Sequence, residues 1–274
     1  MDSKKNIKTS YDLEDVDQFS QTQVGIATLE RYTGSKATDF QPYILLTNFH
    51  QYITDFATKF KEPIYQGSAM SVCHCAKKGI SIINYHLGSP MAALMVDMLS
   101  FIKPKATLML GLCGGLRPEH TVGSYFLPVA AIREEGTSDA YMPPRCPSLA
   151  SFLIQRYASE ALETKKIEYF RGVIHTTNVR FWEFNEEFKK KLQEERAQTI
   201  DMECATLFTV GFARYVPIGA LMLISDLPLK SKGIKIASFN KTITGHAKTH
   251  LTLGISILQK MQKEEKKKGL TYLF

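Results

Sequence analysis

The stretch Thr199–Asp226, reading TIDMECATLFTVGFARYVPIGALMLISD, constrains the fold more than any other part of the chain. Glu203 opens a run to Arg214 in which Ala205, Leu207, Phe208, Val210 and Phe212 cover most of a helix surface. Pro217 ends that helix, and Ile218 to Ile224 is an apolar run of strand length. A strand that is apolar at every position is covered on both faces, so this one belongs in the middle of a sheet packed by helices. Ser225 and Asp226 follow at its carboxyl end, where open α/β sheets collect their ligands. That position suits Asp226 equally for chemistry and for capping a turn.

Strands and helices alternate through the rest of the chain. The pattern predicts a helix over Gln23–Tyr32 stopped by Gly34, then a strand over Pro42–Thr47. Asn48 and His50 follow at the mouth of this first βα unit, before a helix over Gln51–Phe60; an exposed loop position suits His50 as well. Met70–Ala76 and Gly79–Tyr85 form a hairpin pair around Lys77-Lys78-Gly79. Pro90 fits the first turn of an apolar helix over Met91–Phe101, and the Gly88-Ser89 corner can turn backbone N–H groups toward an anion or a sugar. Ala106–Leu110 is a buried strand followed by Gly111, Gly114 and Gly115, which permit a sharp turn or a close approach to a ligand. This glycine stretch is neither a Walker loop nor a dinucleotide fingerprint.

Gly123–Ile132 is the next strand, and Pro143, Pro144 and Pro147 mark an irregular loop, a lid or a subunit contact. Ser148 is expected to cap a helix reaching Thr164. Gly172–Thr176 is a strand opening onto Thr177-Asn178-Val179-Arg180-Phe181-Trp182-Glu183, where Phe181 and Trp182 suit either core packing or stacking against a base. Asn185 starts a helix over Glu186–Glu195. Leu227–Phe239 reads as a basic loop and Gly245–Lys263 as the closing helix. The alternation predicts an α/β fold, a single three-layer α/β/α domain around a central mixed sheet. Residues 1–24 are expected to be a flexible arm, 25–264 the functional domain and 265–274 a basic tail.

Composition removes several classes. The five cysteines follow no disulfide or zinc spacing, which points to a reducing cytoplasm and no metal. No uncharged run is long enough to span a bilayer, and MDSKKNIKTS lacks a signal-peptide core. The net charge of +7 gathers partly in Lys260–Lys268, KMQKEEKKK, which is a solvated helix end rather than a nucleic-acid module. A basic balance also suits an anionic small substrate.

Asp201-Met202-Glu203, a helix, a strand and Ser225-Asp226, together with Gly111-Leu112-Cys113-Gly114-Gly115, resemble the nucleoside phosphorylase/nucleosidase family. Arg31-Tyr32-Thr33-Gly34, Leu46 to His50, Cys113 to Arg117, Thr176-Thr177 with Arg180 and Trp182-Glu183, and Ser225 to Leu229 are similar to its AMP-cleaving branch. The similarity runs over roughly residues 25–262. The long forms of that branch carry an extra N-terminal regulatory domain that this chain is expected to lack, along with its allosteric control.

The resemblance implies a nucleoside phosphorylase-like fold and cleavage of the N-glycosidic bond of AMP or a related purine nucleotide, without cofactor or metal. It makes Asp226 the general acid toward purine N7, protonated near neutral pH by burial. Glu203 would stay ionised beneath the ribose, holding its 2′- and 3′-hydroxyls and favouring positive charge on the sugar. Met202 would pack on the sugar and Phe181 or Trp182 on the base, with Ser225, Gly114 and Gly88 completing the wall. Related phosphorylases hold phosphate with an arginine and a serine; the matching positions are Met109 and Leu112, so water is the expected nucleophile. Asn48 and His50 are candidates to activate it. For the 5′-phosphate, Arg31, Arg117 and Arg180 rank above Lys230 and Lys235, because the guanidinium fork matches phosphate.

The family also implies a dimer-based homo-oligomer of up to six subunits, with the proline loop and the N-terminal arm contributing, and no nucleic-acid or membrane partner. The competing readings are a phosphorylase or methylthioadenosine-type nucleosidase acting on an unphosphorylated nucleoside, and a non-catalytic nucleotide-binding protein. Two acids at the expected places argue against the last.

Overall fold

A computed structural model describes residues 20–230 and 237–268. Most of the expected N-terminal arm, the end of the basic tail and Lys235 lie outside the described residues. Helix α1 (Gln21–Thr33) starts from a capping box between Ser20 and Gln23 and ends at Gly34. Strand β1 (Tyr43–Thr47), helix α2 (His50–Phe60) and strands β2 (Ile64–Gln66), β3 (Ser71–Cys75) and β4 (Ile80–Asn84) follow. Next come α3 (Ser89–Ile102), β5 (Ala106–Gly115), β6 (Tyr125–Glu134), β7 (Ser148–Leu149) and α4 (Phe152–Thr164). The rest is β8 (Tyr169–Thr177), α5 (Glu186–Glu194), β9 (Thr199–Asp201), α6 (Cys204–Ala213), β10 (Ile218–Asp226) and α7 (Ala237–Lys268).

All ten strands join one mixed sheet in the order β10-β6-β8-β9-β5-β1-β4-β3-β2, with β7 on β6. β10 also pairs with β5, so β5, β10, β6, β8 and β9 close into a ring and β1, β4, β3 and β2 extend from it. The core lies on both faces of the sheet. Side chains of β10 alternate: Leu221 and Leu223 join the layer with α2, α4 and α7, while Ala220, Met222 and Ile224 join the layer with α3 and α6. This alternation is the physical content of an uninterrupted apolar strand, and it confirms the three-layer α/β/α expectation.

Several local expectations need correction. The glycine stretch is strand, not loop: β5 runs through Gly115 because Gly111 to Gly114 pair with Met222 to Asp226 of β10. β10 likewise continues to Asp226, two residues past the apolar run. Ser148 does not cap a helix. It sits in the two-residue strand β7, its hydroxyl donates to the Ala205 carbonyl at 2.9 Å, and α4 begins after Ser151. The hydrogen bonds of Arg133 to the carbonyls of Met142, Pro143 and Cys146, with an ion pair to Asp139, pin the proline loop. Strands β2 and β9 are three residues each, too short to show a period in sequence.

His250 on α7 ties three elements together. Its Nε2 donates to the Leu221 carbonyl of β10 at 2.8 Å, and its Nδ1 accepts from the Tyr52 hydroxyl of α2 at 2.8 Å. Burial pushes its pKa down to about 4. A histidine whose folded pKa lies below its unfolded value of about 6.5 contributes stability that is present above that value and lost as pH falls toward the folded one. Denaturant melts should therefore show a loss of up to about 3 kcal/mol from this site between pH 6.5 and pH 4. His250→Gln should flatten that acid limb; an unchanged slope would remove His250 from it.

Candidate active site

The carboxyl ends of β1, β4, β5, β8, β9 and β10 meet around one cleft of about 510 Å³. Its wall includes Asn48, Gly114, Arg180, Trp182, Asp201, Met202, Glu203, Ser225 and Asp226. The two acids that the sequence places far apart thus share one cavity.

Glu203 occupies the position just before α6 and is 1% exposed. Its Oε1 accepts the Gly88 backbone N–H at 2.8 Å, and the Asn48 side chain and the Met202 N–H also hydrogen-bond to it. Gly88 presents that N–H from a φ of 100°, a conformation that glycine adopts without strain. Ser89 donates to the Met202 carbonyl at 2.7 Å and fixes the residue between the acids. Asp201 is held by Thr176 Oγ1 at 2.6 Å, Cys204 N at 2.7 Å and Glu203 N at 3.3 Å, so its carboxylate plugs the start of α6.

Asp226 reaches the cleft through a bulge. In the β5–β10 register, Ile224 faces Cys113 and Asp226 faces Gly114, leaving Ser225 as the extra residue. A bulge re-aims the side chains beyond it. Ser225 Oγ lies 2.5 Å from Asp226 Oδ1 and 3.3 Å from the Cys113 carbonyl. The close approach at Gly114 is to protein: a Cβ there would meet Ile200 at 3.1 Å and Pro228 at 3.2 Å.

Electrostatics bear on the role expected of Glu203. Burial, and then the neighbouring Asp201, push the Glu203 carboxyl up to about 8, against the donors from Gly88, Asn48 and Met202. Burial also raises Asp201, against its own hydrogen bonds. Burial and the neighbouring Asp201 thus favour the protonated form of Glu203, while the expected ionised form is the one beneath a bound ribose.

The other expected residues divide. Asn48 and Met202 line the cleft. Trp182 contributes one side to it and packs the other among Leu116, Leu192, Ala197 and Ile200. Arg180 lines it too, with Nη1 on Glu183 Oε1 at 2.8 Å. Phe181 does not: it is 73% exposed, beneath the Arg180 guanidinium at 5.6 Å. Arg117 donates to the Arg196 carbonyl at 2.6 Å, and Arg31 lies over the Tyr32 ring at 5.0 Å, both outside the cleft wall. His50 is exposed at the start of α2 and is likewise outside it. Lys230 is tied to the Pro118 and His120 carbonyls at 3.1 and 3.4 Å.

Sequence reasoning gave no role to Asp201 or Glu183, and read Ser89 only as part of the corner with Gly88. Asp201 carried a usable signal, an acid two residues before the end of a helix start whose first N–H groups need acceptors. Glu183 carried none, since nothing local marks a buried carboxyl. Among the described residues no group of three or more His, Cys, Asp or Glu side chains is placed to hold a metal ion.

A mixed sheet between two helical layers, with carboxyls gathered at strand ends around one cleft, defines a nucleoside phosphorylase-like α/β protein. The Phosphorylase superfamily profile matches residues 45–256, and the chain belongs to that family. AMP nucleosidase of Escherichia coli is 28% identical over 284 residues, covering 87% of this chain and 59% of that one. The chain thus spans about three fifths of the length of the curated relatives it first matches. The crystal structure of AMP nucleosidase from Bacteroides thetaiotaomicron superposes with a TM-score of 0.81 at 41% identity, over 90% of this chain and 100% of that one. Uridine phosphorylase from Vibrio fischeri superposes with a TM-score of 0.73 at 20% identity, over 82% and 93%, a likeness of fold alone.

The origin of the Glu203 shift can be tested in the free protein. Carbon-13 NMR of labelled glutamate should show Glu203 titrating near 8. Asn48→Ala, which removes a donor to the charged form, should raise it further. Asp201→Asn, which removes the neighbouring charge, should lower it. A Glu203 titration in the ordinary carboxylate range would contradict the buried-pair account.

Proposed function

We propose that this chain hydrolyses the N-glycosidic bond of AMP, giving adenine and ribose 5-phosphate. The observation that carries this reading is the single cleft shared by Asp226 and Glu203, with the apolar Leu112 in its wall where the resembling phosphorylases hold phosphate. Relatives named AMP nucleosidase support it over 87% and 90% of the chain.

In this reading the ribose lies on Glu203 and Met202 and the base between Trp182 and Asp226. The 2′- and 3′-hydroxyls add donors to Glu203 and favour its carboxylate form. The charged carboxylate then stabilises the positive charge that develops on the sugar as the C1′–N9 bond lengthens. Asp226 delivers a proton to N7, so the base leaves neutral. The Ser225 hydroxyl has one hydrogen and two acceptors, Asp226 Oδ1 and the Cys113 carbonyl. Water adds to C1′, and its released proton restores the acid. Of Asn48 and His50, only Asn48 lines the cleft, and its side-chain amide is the group to orient that water.

Arg180 is the one candidate cation of the described set that lines the cleft, so it is the proposed 5′-phosphate ligand in this chain. A phosphate dianion beside four cleft carboxyls needs further positive charge, which a second copy would supply in a dimer-based homo-oligomer of up to six subunits. Exposed Val129, Leu149 and Phe152, at 46%, 57% and 78%, offer apolar surface for such contacts. A reducing cytoplasm suits the five free cysteines. No helix among the described residues is long and apolar enough to cross a membrane.

The decisive assay is chromatography of AMP incubated with the protein in phosphate-free buffer. Free adenine and ribose 5-phosphate are expected. Adenine release that depends on added phosphate, or that favours adenosine over AMP, would transfer the chain to the unphosphorylated-nucleoside reading. Asp226→Asn should keep AMP affinity within a few-fold and lower kcat by about 10²–10⁴-fold; equal turnover would remove Asp226 from the mechanism. Arg180→Ala should lower kcat/KM for AMP relative to adenosine by about tenfold or more, the scale of one charged hydrogen bond. An unchanged ratio would place the phosphate elsewhere.

A further inference from the structure

Glu183 is a carboxyl of the cleft wall that the reaction above leaves unused. Its side chain is 4% exposed, and its Oε1 is paired with Arg180. The second oxygen, Oε2, is buried and has no hydrogen-bond partner among the described residues. Buried carboxylate oxygens are almost always supplied with a donor, so one without a partner on a residue of the cleft wall calls for an explanation. In the ion pair with Arg180, the second carboxylate oxygen of Glu183 can only accept a hydrogen bond.

The donors carried by AMP are few. Its phosphate presents only acceptors when fully ionised, and its ribose hydroxyls are claimed by Glu203. The remaining donor is the 6-amino group of the base. Trp182, the residue before Glu183, also lines the cleft and is the proposed contact of the base. We propose that Glu183 Oε2 accepts a hydrogen bond from the 6-amino group of the adenine ring, which makes Glu183 the residue that reads the identity of the base. This rests on the AMP reading above and adds a specificity contact to it. Glu203 then fixes the sugar, Asp226 takes N7, and Glu183 requires an amino group where a 6-oxo purine would present an oxygen. A carboxylate facing that oxygen would repel it, and the mismatch leaves both groups unpaired.

The test is a cycle between the residue and the substrate group. kcat/KM is measured for AMP and for purine riboside 5′-monophosphate, which carries hydrogen in place of the 6-amino group. Both are tested with the wild type, Glu183→Ala and Glu183→Met, the last an apolar side chain of similar length that leaves no buried charge. The wild-type preference for AMP should fall by about tenfold or more in either variant, because a hydrogen bond to a charged group is lost only for the substrate that has the donor. Equal losses for both nucleotides would make Glu183 a support for Arg180 and overturn the proposal, as would an unchanged preference. Calorimetric titration of free adenine and free purine gives a second readout that needs no turnover. Adenine should bind the wild type more tightly than purine does, and this difference should shrink in Glu183→Met. Should the wild type release no base from AMP, the activity reading fails, and the free-base titration still decides whether Glu183 recognises the amino group.

Discussion

The Gly88 N–H to Glu203 Oε1 hydrogen bond joins two parts of the chain separated by 115 positions, and the site is organised around it. A carboxyl at 1% exposure is costly to bury, and the fold meets that cost with donors from separate strand ends: Gly88 beyond β4, Asn48 beyond β1 and Met202 beyond β9. Met202 is the chain neighbour of Glu203, but Gly88 and Asn48 reach it only when β1, β4, β5 and β9 have paired. Sheet assembly and site assembly are therefore one event. A register slip of β1 or β4 would cost Glu203 the Asn48 or Gly88 donor, which ties the pairing pattern to the electrostatics of the cleft.

Three acids at the strand ends differ in their surroundings, and those differences, more than residue type, set what each can do. Asp201 takes three donors and serves the start of α6. Glu203 takes donors on one side and faces the cleft, with Asp201 close enough to raise its proton affinity. Asp226 stands across the ring on β10, turned toward the cavity by the bulge at Ser225 and contacted by the Ser225 hydroxyl. Closure of β10 onto β5 brings these acids to one cavity. In an open sheet with β10 paired only to β6, Asp226 would lie at an edge.

The cleft is acidic for a protein whose overall charge is positive. Asp201, Glu203, Asp226 and Glu183 face it, against Arg180. Such a site favours positive charge developing on a bound sugar and works against an anion placed deep within it. Arg180 is held by Glu183 and remains 44% exposed, so the positive end of the wall is toward solvent. For the AMP proposed as substrate, this geometry would direct the phosphate outward and the sugar and base inward.

Local periodicity determined the alternation of strands and helices, the central place of β10, the hairpin β3–β4 and the proline-led start of α3. These depend on neighbours two to four residues apart, which a sequence displays directly. Position at the end of an apolar strand made Asp226 a candidate, and the family resemblance gave Glu203 and Asp226 their expected roles. The tertiary structure decided which polar residues face the cleft. It took in Asn48, Arg180 and Asp201, and left Phe181, Arg31, Arg117 and His50 outside. It also drew the glycine stretch into β5 and placed Glu203 where burial and Asp201 favour its protonated form. Each of these outcomes depends on burial, on a bulge or on a partner many residues away, quantities that exist only once the sheet has closed.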